Sequence, residues 1–447
     1  MEGKIIFKRK LYQRLLDWKT DSHGDSAILI EGARRVGKST LVEEFVNKEY
    51  KSAIIIDFGN ADKEVVRLFD NLSNLDTLFA QLQFAYNIRL YERESAIVFD
   101  EVQLCPKARQ AIKYLVADGR FDYIETGSLI SLSRNVKNIL IPSEEDSIKM
   151  NPMDFEEFLW ATGNDIVADL LRNATADLRD IGQVAHRKAM ELFRFYMLIG
   201  GMPQAISKFL ISNNFMEVDK VKRGILKLYQ KDFKKFDQTG RAGRLYDAIP
   251  GQLSKNVSRY IPSSVIGSNV TQKTEDSLIS ALKESMTVNL SYHTLNPANG
   301  LAMDYDKDFF KMFVADTGLF ITLAFKDKDF TDNIIYRKLL TDKLEANLGY
   351  VYENIVGQIL VALNRELFYY TFPSQSRHSY EVDFLISAGH KIVPIEVKSS
   401  GYKTHASLDA FIDKYKNKVT SPMVVYTKPL SRERGILYLP IYMLPFQ

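Results

Sequence analysis

Cysteine is nearly absent from this chain: Cys105 stands alone in 447 residues, which excludes an intrachain disulfide and any cysteine-rich zinc site. It reads as a small core residue packed after an acidic strand, in preference to a reactive thiol. Long apolar runs are missing too, since no stretch approaches the roughly 18 uninterrupted residues of a membrane-spanning helix. The first residues, Met1-Glu-Gly-Lys4, are charged and show no apolar signal segment. A cytoplasmic location is therefore expected, with no membrane partner. An excess of one sign of charge is missing too, since a net +3 is too small to argue for nucleic acid by itself. Internal repeats and low-complexity segments are not found. What remains is an ordinary globular composition, 46% hydrophobic and 26% charged, at a length suited to two to four domains with large cores.

One run breaks this ordinariness. In Ile30-Glu-Gly-Ala-Arg-Arg-Val-Gly-Lys-Ser-Thr-Leu41, Gly32, Gly37, Lys38 and Ser39 fill every fixed position of the phosphate-binding P-loop pattern. The apolar run Ala27 to Ile30 before it reads as a buried parallel strand, and Thr40 to Lys48 continues as an amphipathic helix. Glycines without a Cβ let the loop turn, so backbone N–H groups at the helix start, aided by its dipole, can wrap the β-phosphate of ATP. The nucleotide-binding set is Gly32, Ala33, Arg34, Arg35, Val36, Gly37, Lys38, Ser39 and Thr40. Lys38 would neutralise the β- and γ-phosphates, and the Ser39 hydroxyl would ligate Mg²⁺.

A second element favours hydrolysis over binding alone. Ser95 to Glu101 is a short apolar run ending in two carboxylates. As a strand beside the P-loop strand it delivers Asp100 to hold Mg²⁺ and places Glu101 to polarise the attacking water. A third strand, Phe121 to Glu125, ends in Thr126-Gly127-Ser128. The Thr126 hydroxyl there either senses the γ-phosphate and orients water or belongs to a simple polar turn.

These motifs resemble those of a known family. Gly32-Ala-Arg-Arg-Val-Gly-Lys-Ser-Thr40, Asp100-Glu-Val-Gln-Leu-Cys-Pro106, Glu125-Thr-Gly-Ser128, Pro152-Met-Asp-Phe-Glu-Glu-Phe158 and Gly200-Gly-Met-Pro203 look like the bacterial and archaeal AAA+-type ATPases that carry a C-terminal domain of unknown function. The likeness spans nearly the whole chain, and the Asp-Glu-Val-Gln-x-x-Pro and Gly-Gly-x-Pro runs are its specific part. It implies an ATPase core, a helical and winged-helix middle, and a C-terminal nuclease-like fold, with no settled biological role. It also places a linker near the adenine, which suits the helical spacing of Phe7 to Trp18.

The expected fold class is α/β: a P-loop parallel sheet, AAA+-like, then a helical and winged-helix region, then a small α/β restriction-endonuclease-like domain. Domain boundaries are expected at 1–165 (ATPase core with its linker helix), 166–240 (helical lid), 241–325 (winged-helix-like) and 335–447 (nuclease-like). Ala53 to Phe58 reads as a strand, Leu68 to Leu90 as helical, Ser143-Glu-Glu-Asp146 as an acidic loop, and Pro152 onward as an aromatic-rich helix. Leu170 to Tyr196 and Phe215 to Phe236 read as helices flanking the Gly200 to Pro203 turn.

Lys220, Lys222, Arg223, Lys227, Lys231, Lys234 and Lys235 crowd one helix with Tyr229, Phe233 and Phe236. They form either a solvated face, the commoner case, or a track for phosphates. Leu245 to Leu253, Ser263 to Ile266 and Thr274 to Ser285, followed by strands Thr287 to Tyr292 and Phe310 to Ala315, form a winged-helix pattern whose closing strand matches Lys311-Met-Phe-Val-Ala-Asp-Thr-Gly-Leu319. Its third helix opens Lys273-Thr-Glu-Asp276, and acids repel phosphates, so protein contact is favoured over DNA contact.

The last segment carries a second candidate site. Ser379 to Ile386 and Ile392 to Lys398 read as paired strands around a Gly389 turn. Glu396 and Lys398, two apart, project to one side, and Asp383 joins them from the paired strand. Glu353, on the helix Tyr350 to Ala362, supplies a third carboxylate. This is the pattern of the PD-(D/E)xK nuclease fold, able to bind Mg²⁺ and stabilise a pentacovalent phosphate. A live site and a relic ion network in an inactive fold stay equally open.

The expected catalytic residues are thus Glu101, Asp100, Thr126, Asp383, Glu396 and Lys398, and the metal ligands Ser39, Asp100, Glu353, Asp383 and Glu396. The cofactors are ATP and Mg²⁺. Nucleic acid, a protein partner and a second copy of the chain are the open partner classes. Two functions compete: an ATPase whose cycle gates a nuclease-like domain, in DNA processing or defence, and a STAND-like regulatory switch whose inactive C-terminal domain binds a protein. Arg109 and Arg134 are candidates for an arginine acting on a neighbouring subunit's nucleotide, a plain surface position being the commoner alternative.

Overall fold

The computed structural model describes residues 5–127, 143–255, 257–328, 336, 348–374, 379–401 and 403–447. The chain folds as two compact units, residues 1–151 with 284–286, and residues 152–283 with 287–447.

The first unit is built on five strands, β1 Ala27–Glu31, β2 Ser52–Asp57, β3 Ser95–Asp100, β4 Asp122–Gly127 and β5 Glu145–Lys149. They lie in the order β2-β3-β4-β1-β5, every pair parallel. Central strands buried on both faces need continuous apolar runs, and β1 is buried at all five residues. One face is covered by a core that includes Phe69, Phe79, Leu82, Phe99, Ile112 and Leu115. Local chemistry sets the helix ends. Helix Leu75–Tyr86 starts where the Asn74 side chain accepts from Thr77 N and stops at left-handed Asn87. Helix Pro106–Asp118 has proline in its first turn and ends at Gly119, φ 73°.

Several boundaries differ from the sequence reading. The first helix is Leu11–Ser22, later than Phe7 to Trp18. The segment from Leu68 to Leu90 is a short 3-10 turn, Leu68–Asp70, and then the helix capped by Asn74. The acidic loop Ser143 to Asp146 runs into β5, where Glu145 and Asp146 pair beside Ala27 and Ile28. The backbone needs of β1's open edge outweighed the low strand propensity of the acids.

The second unit holds eight strands: β6 Val288–Thr294, β7 Tyr305–Val314, β8 Leu367–Pro373, β9 Ser379–Ala388, β10 Lys391–Val397, β11 Met423–Tyr426, β12 Ser431–Glu433 and β13 Ile436–Pro440. Their order is β12-β13-β11-β10-β9-β8-β6-β7. The β6–β7 hairpin, read from sequence as a wing, is not free-standing. β6 pairs parallel with β8, Ser291 opposite Leu367, so the lid, winged-helix and nuclease-like segments share one compact unit. The run Lys311 to Leu319 is also not one strand, because Asp316 accepts from Leu319 N and caps helix Thr317–Ala324.

Helix Gly349–Ala362 ties that hairpin down with buried amides. Asn354 brackets Val314, accepting from its N at 2.8 Å and donating to its O at 3.1 Å, and Gln358 Oε1 accepts from Thr317 N at 2.7 Å. Two sequence motifs have structural causes here. In Pro152-Met-Asp-Phe-Glu-Glu-Phe158, Asp154 and Glu157 form a reciprocal capping box at 2.9 and 3.1 Å. In Gly200-Gly-Met-Pro203, Gly200 sits at φ 86° and a Cβ on Gly201 would lie 2.8 Å from Met153 N and overlap its carbonyl. Leu170 to Tyr196 is two helices, Asp165–Ala176 and Gly182–Ile199, separated where Leu178 turns left-handed.

Candidate active sites

β1 delivers the chain to Gly32, where a Cβ would come 2.5 Å from Met150 O, so glycine is required by the neighbouring backbone. Gly37, at φ 103°, opens helix Lys38–Glu49. Arg34 and Arg35 are exposed while Ala33, Val36 and Lys38 are buried. The Lys38 ammonium donates to Gly32 O at 2.9 Å and Ala33 O at 3.2 Å, using two of its three N–H bonds. Burial pushes its pKa down, with Glu101 and Asp100 opposing.

The acidic pair sits beside it. Ser39 Oγ donates to Asp100 Oδ1 at 2.9 Å, and Thr126 Oγ1 donates to the same oxygen. Thr126 Oγ1 in turn accepts from Glu101 N at 3.2 Å. Three strand ends, β1 through its loop, β3 and β4, therefore meet at one carboxylate oxygen. Glu101 adopts a left-handed backbone, φ 54°, a strained state for a non-glycine residue. Its Oε2 accepts from Gln103 Nε2. Of the expected residues, Lys38, Ser39, Asp100, Glu101 and Thr126 are brought together, whereas Ser128 and Arg134 lie outside the described residues.

Two neighbours of these residues were missed. Buried Arg9 donates to Val36 O at 2.8 Å and to Asn151 O at 2.8 Å, fastening the N-terminal segment to the loop. Gln103 was visible inside Asp100-Glu-Val-Gln103, but its role as the partner of Glu101 was not. Arg109 proves neither a surface residue nor a subunit-bridging arginine. It is buried in a 2.9 Å ion pair with Glu145. Next to it burial and Glu145 push the Glu125 carboxyl well above the usual carboxylate range.

In the second unit, β9, β10 and helix Gly349–Ala362 bring Asp383, Glu396, Lys398 and Glu353 into one electrostatic cluster. Asp383 Oδ2 accepts from Val397 N at 2.7 Å, which sets the register of the two strands at their open end. Lys398 Nζ donates to Glu396 Oε1 at 2.8 Å. Two members were not foreseen. Lys311, on β7, donates to Glu381 Oε1 at 2.5 Å and to Glu353 Oε2 at 3.2 Å. Burial, then Glu396 and Glu353, push Asp383 well above the usual range, with Lys311 opposing. The alternation Glu381-x-Asp383 could have revealed Glu381 as a same-face neighbour; nothing local signals Lys311.

The basic helix, Phe215–Phe236, spends much of its charge internally. Lys222 is fully buried and donates to Leu198 O at 2.6 Å, to Gly318 O at 3.2 Å and to Tyr336 Oη. Arg223 pairs with Asp219 at 2.7 Å and holds the carbonyls of Phe325, Lys326 and Lys328. Lys220 and Lys235 pair with Glu217 and Asp232 at 2.6 and 2.7 Å. Lys222 therefore belongs to the core and to no solvated face or phosphate track.

Residues 24–159 match the family described as AAA domain. This part of the chain is a P-loop ATPase module. Residues 190–329 and 348–444 each match a separate domain of unknown function. No curated protein matches the chain. Among solved structures, the chain is similar to the Walker-type ATPase PABY2304 of Pyrococcus abyssi at 17% identity, covering 71% of this chain and 96% of that one, with TM-score 0.43. It is similar to the Aeropyrum pernix ORC1 protein in complex with DNA at 11% identity, covering 76% and 94%, with TM-score 0.24. It is also similar to the STAND protein PH0952 of Pyrococcus horikoshii, which has a tetratricopeptide repeat sensor, at 10% identity, covering 81% and 50%, with TM-score 0.27. Likenesses at this level assign no function. Among the described residues no helix is long and apolar enough to cross a membrane.

Proposed function

We propose that the chain is a Mg²⁺-dependent ATPase whose nucleotide cycle governs the state of the second unit, as a regulatory switch. The observation that carries the hydrolytic part is the convergence of Ser39 and Thr126 on Asp100 Oδ1 with Glu101 one residue on. Lys38 and the loop N–H groups would hold the phosphates. Ser39 and Asp100 supply the hydroxyl and carboxylate that Mg²⁺ takes in such sites, and the ion, when bound, would offset phosphate charge. Glu101 would accept the proton of the attacking water. Gln103, through its bond to the Glu101 carboxylate, positions that base.

For the second unit, convergence of Asp383, Glu396, Lys398 and Glu353 supports a nuclease-like descent. Lys311 among the same carboxylates favours the non-cutting reading, in which the unit acts by binding a partner. The test is phosphate release from ATP by the purified chain with Mg²⁺ and with excess chelator, run alongside plasmid DNA. Expected are Mg²⁺-dependent release, intact plasmid and, for Lys38→Ala, ATP affinity weakened by about tenfold or more, the scale of one charge-assisted contact. Wild-type ATP binding in that variant would sink the P-loop assignment, and cut plasmid would restore the nuclease reading.

A further inference from the structure

A nuclease of this pattern would hold a divalent cation at Glu353, Asp383 and Glu396. The residues as they stand do not fit one. Among the described residues no group of three or more His, Cys, Asp and Glu side chains is arranged to hold a metal ion. Each acid already has one oxygen engaged, Asp383 by Val397 N, Glu396 Oε1 by Lys398, and both Glu353 and Glu381 by Lys311, while Glu396 Oε2 is buried without a hydrogen-bond partner among the described residues.

Lys311 decides the balance. It reaches the cluster from β7, 42 residues before Glu353 and 70 before Glu381, and only 4% of it is exposed. A buried ammonium is costly unless it is paired. Two carboxylates pair it directly, and Asp383 adds to their field. Its ion pairs with Glu353 and Glu381 hold the Lys311 ammonium in place, and a divalent ion entering among the same carboxylates would meet it at close range.

We propose that the Lys311 ammonium is the resident cation of this cluster, standing in the electrostatic place of a divalent ion. The inference rests on the non-cutting reading of the second unit. It has a consequence that a mere relic network lacks: the cluster is one side chain away from a metal site. Without Lys311, Lys398 remains among the described residues as the cation paired with Glu396, and the carboxylates of Glu353, Glu381, Asp383 and Glu396 form the oxygen-rich donor set that hard divalent ions take.

The experiment uses the whole chain carrying Asp100→Asn, which weakens metal uptake at the P-loop. Mn²⁺ is titrated without nucleotide, free ion is read by electron paramagnetic resonance, and thermal unfolding is followed with and without Mn²⁺. With Lys311 present, no site tighter than about 1 mM, the weak end for oxygen-ligand sites, is expected, and no Mn²⁺-dependent shift in melting. Adding Lys311→Met should create one site at least about tenfold tighter, abolished by a further Asp383→Asn. Because Lys311→Met also removes a buried partner, its melting temperature should fall and recover by several degrees as Mn²⁺ is added, through ligand linkage. That recovery is readable even in a marginally folded variant.

Failure of Lys311→Met to gain either binding or recovery overturns the inference and leaves the non-cutting reading standing. One Mn²⁺ bound with Lys311 present and lost with Asp383→Asn also overturns the inference. If that ion is accompanied by DNA cleavage, the non-cutting reading falls with it.

Discussion

The hydroxyl of Ser39, in the first turn of the helix after the P-loop, donates to Asp100 at 2.9 Å across 61 residues of sequence. Asp100 is the last residue of β3, so the bond joins the phosphate loop to the acidic strand at the point where the proposed magnesium ion would take both a hydroxyl and a carboxylate. Asp100→Asn keeps an oxygen for Ser39 and Thr126 to bond but removes the charge. It should weaken ATP binding in the presence of Mg²⁺ by about tenfold or more while leaving binding in chelator nearly unchanged, because a charged acceptor is worth roughly 1.5 to 3 kcal/mol. Calorimetry with and without Mg²⁺ separates the two; equal affinities for wild type and variant in Mg²⁺ would remove Asp100 from the ion's ligands.

Gly201→Ala should destabilise the second unit by about 1 to 3 kcal/mol, the scale of an overpacked methyl. The added Cβ would lie within 3.0 Å of the Met153 backbone carbonyl carbon, and Met153 N is already bonded to Gly201 O at 2.7 Å. Backbone cannot step aside as a flexible side chain would. A denaturant midpoint equal to wild type would show that the glycine is not needed for close approach.

Much of the first site was legible because its signals are local. A strand, a glycine turn and a helix start lie within twelve residues, and the acids end an apolar run. What was hidden depends on side chains that travel. Lys311 sat in plain view in a run read as a closing strand, but only the pairing of β6 with β8 carries that strand to the carboxylates of β9. Arg109 looked like a free cation because Glu145, its partner, was assigned to a loop. Lys222 looked like one of seven similar helix cations, and its burial follows from tertiary packing against Leu198 and Gly318, which no periodicity reveals. The break at Leu178 was missed for the reverse reason: apolar residues continue at helical spacing across it, and a left-handed residue with a side chain leaves no compositional mark.

Lys222 gives a pH prediction. Burial pushes its ammonium down to about 8 from an ordinary 10.5 in the unfolded chain, with Asp219 and Asp316 opposing. Between those values the unfolded chain binds more protons than the folded one, so stability rises with pH there, by up to about 1.4 kcal/mol per pH unit. Below about pH 8 both states are protonated and this contribution is flat. Urea midpoints at pH 8 and 9.5 should therefore rise for wild type relative to Lys222→Met, the ionisation of unfolded tyrosines being common to both proteins. Parallel midpoints in the two proteins would mean that Lys222 does not titrate in that window.

Gln103→Ala tests the partner of the proposed general base. Loss of its bond to Glu101 leaves the carboxylate in place but less restrained, so kcat should fall by about tenfold or more with ATP affinity held, a positioning effect of the kind seen when a reacting group is slightly misplaced. A parallel loss of ATP affinity and turnover would instead make Gln103 a structural element of the loop.

The most direct measurement is ATP turnover by Glu101→Gln under saturating Mg²⁺ and ATP, with nucleotide affinity measured on the same preparation. The exchange keeps size and the contact with Gln103 while removing the proton acceptor. Turnover should drop by about two to four orders of magnitude, the scale of general-base assistance, with affinity within about twofold of wild type, well under the roughly 1.4 kcal/mol that a tenfold change represents. Turnover equal to wild type would contradict the assignment of hydrolysis to the site formed by Lys38, Ser39, Asp100, Glu101 and Thr126.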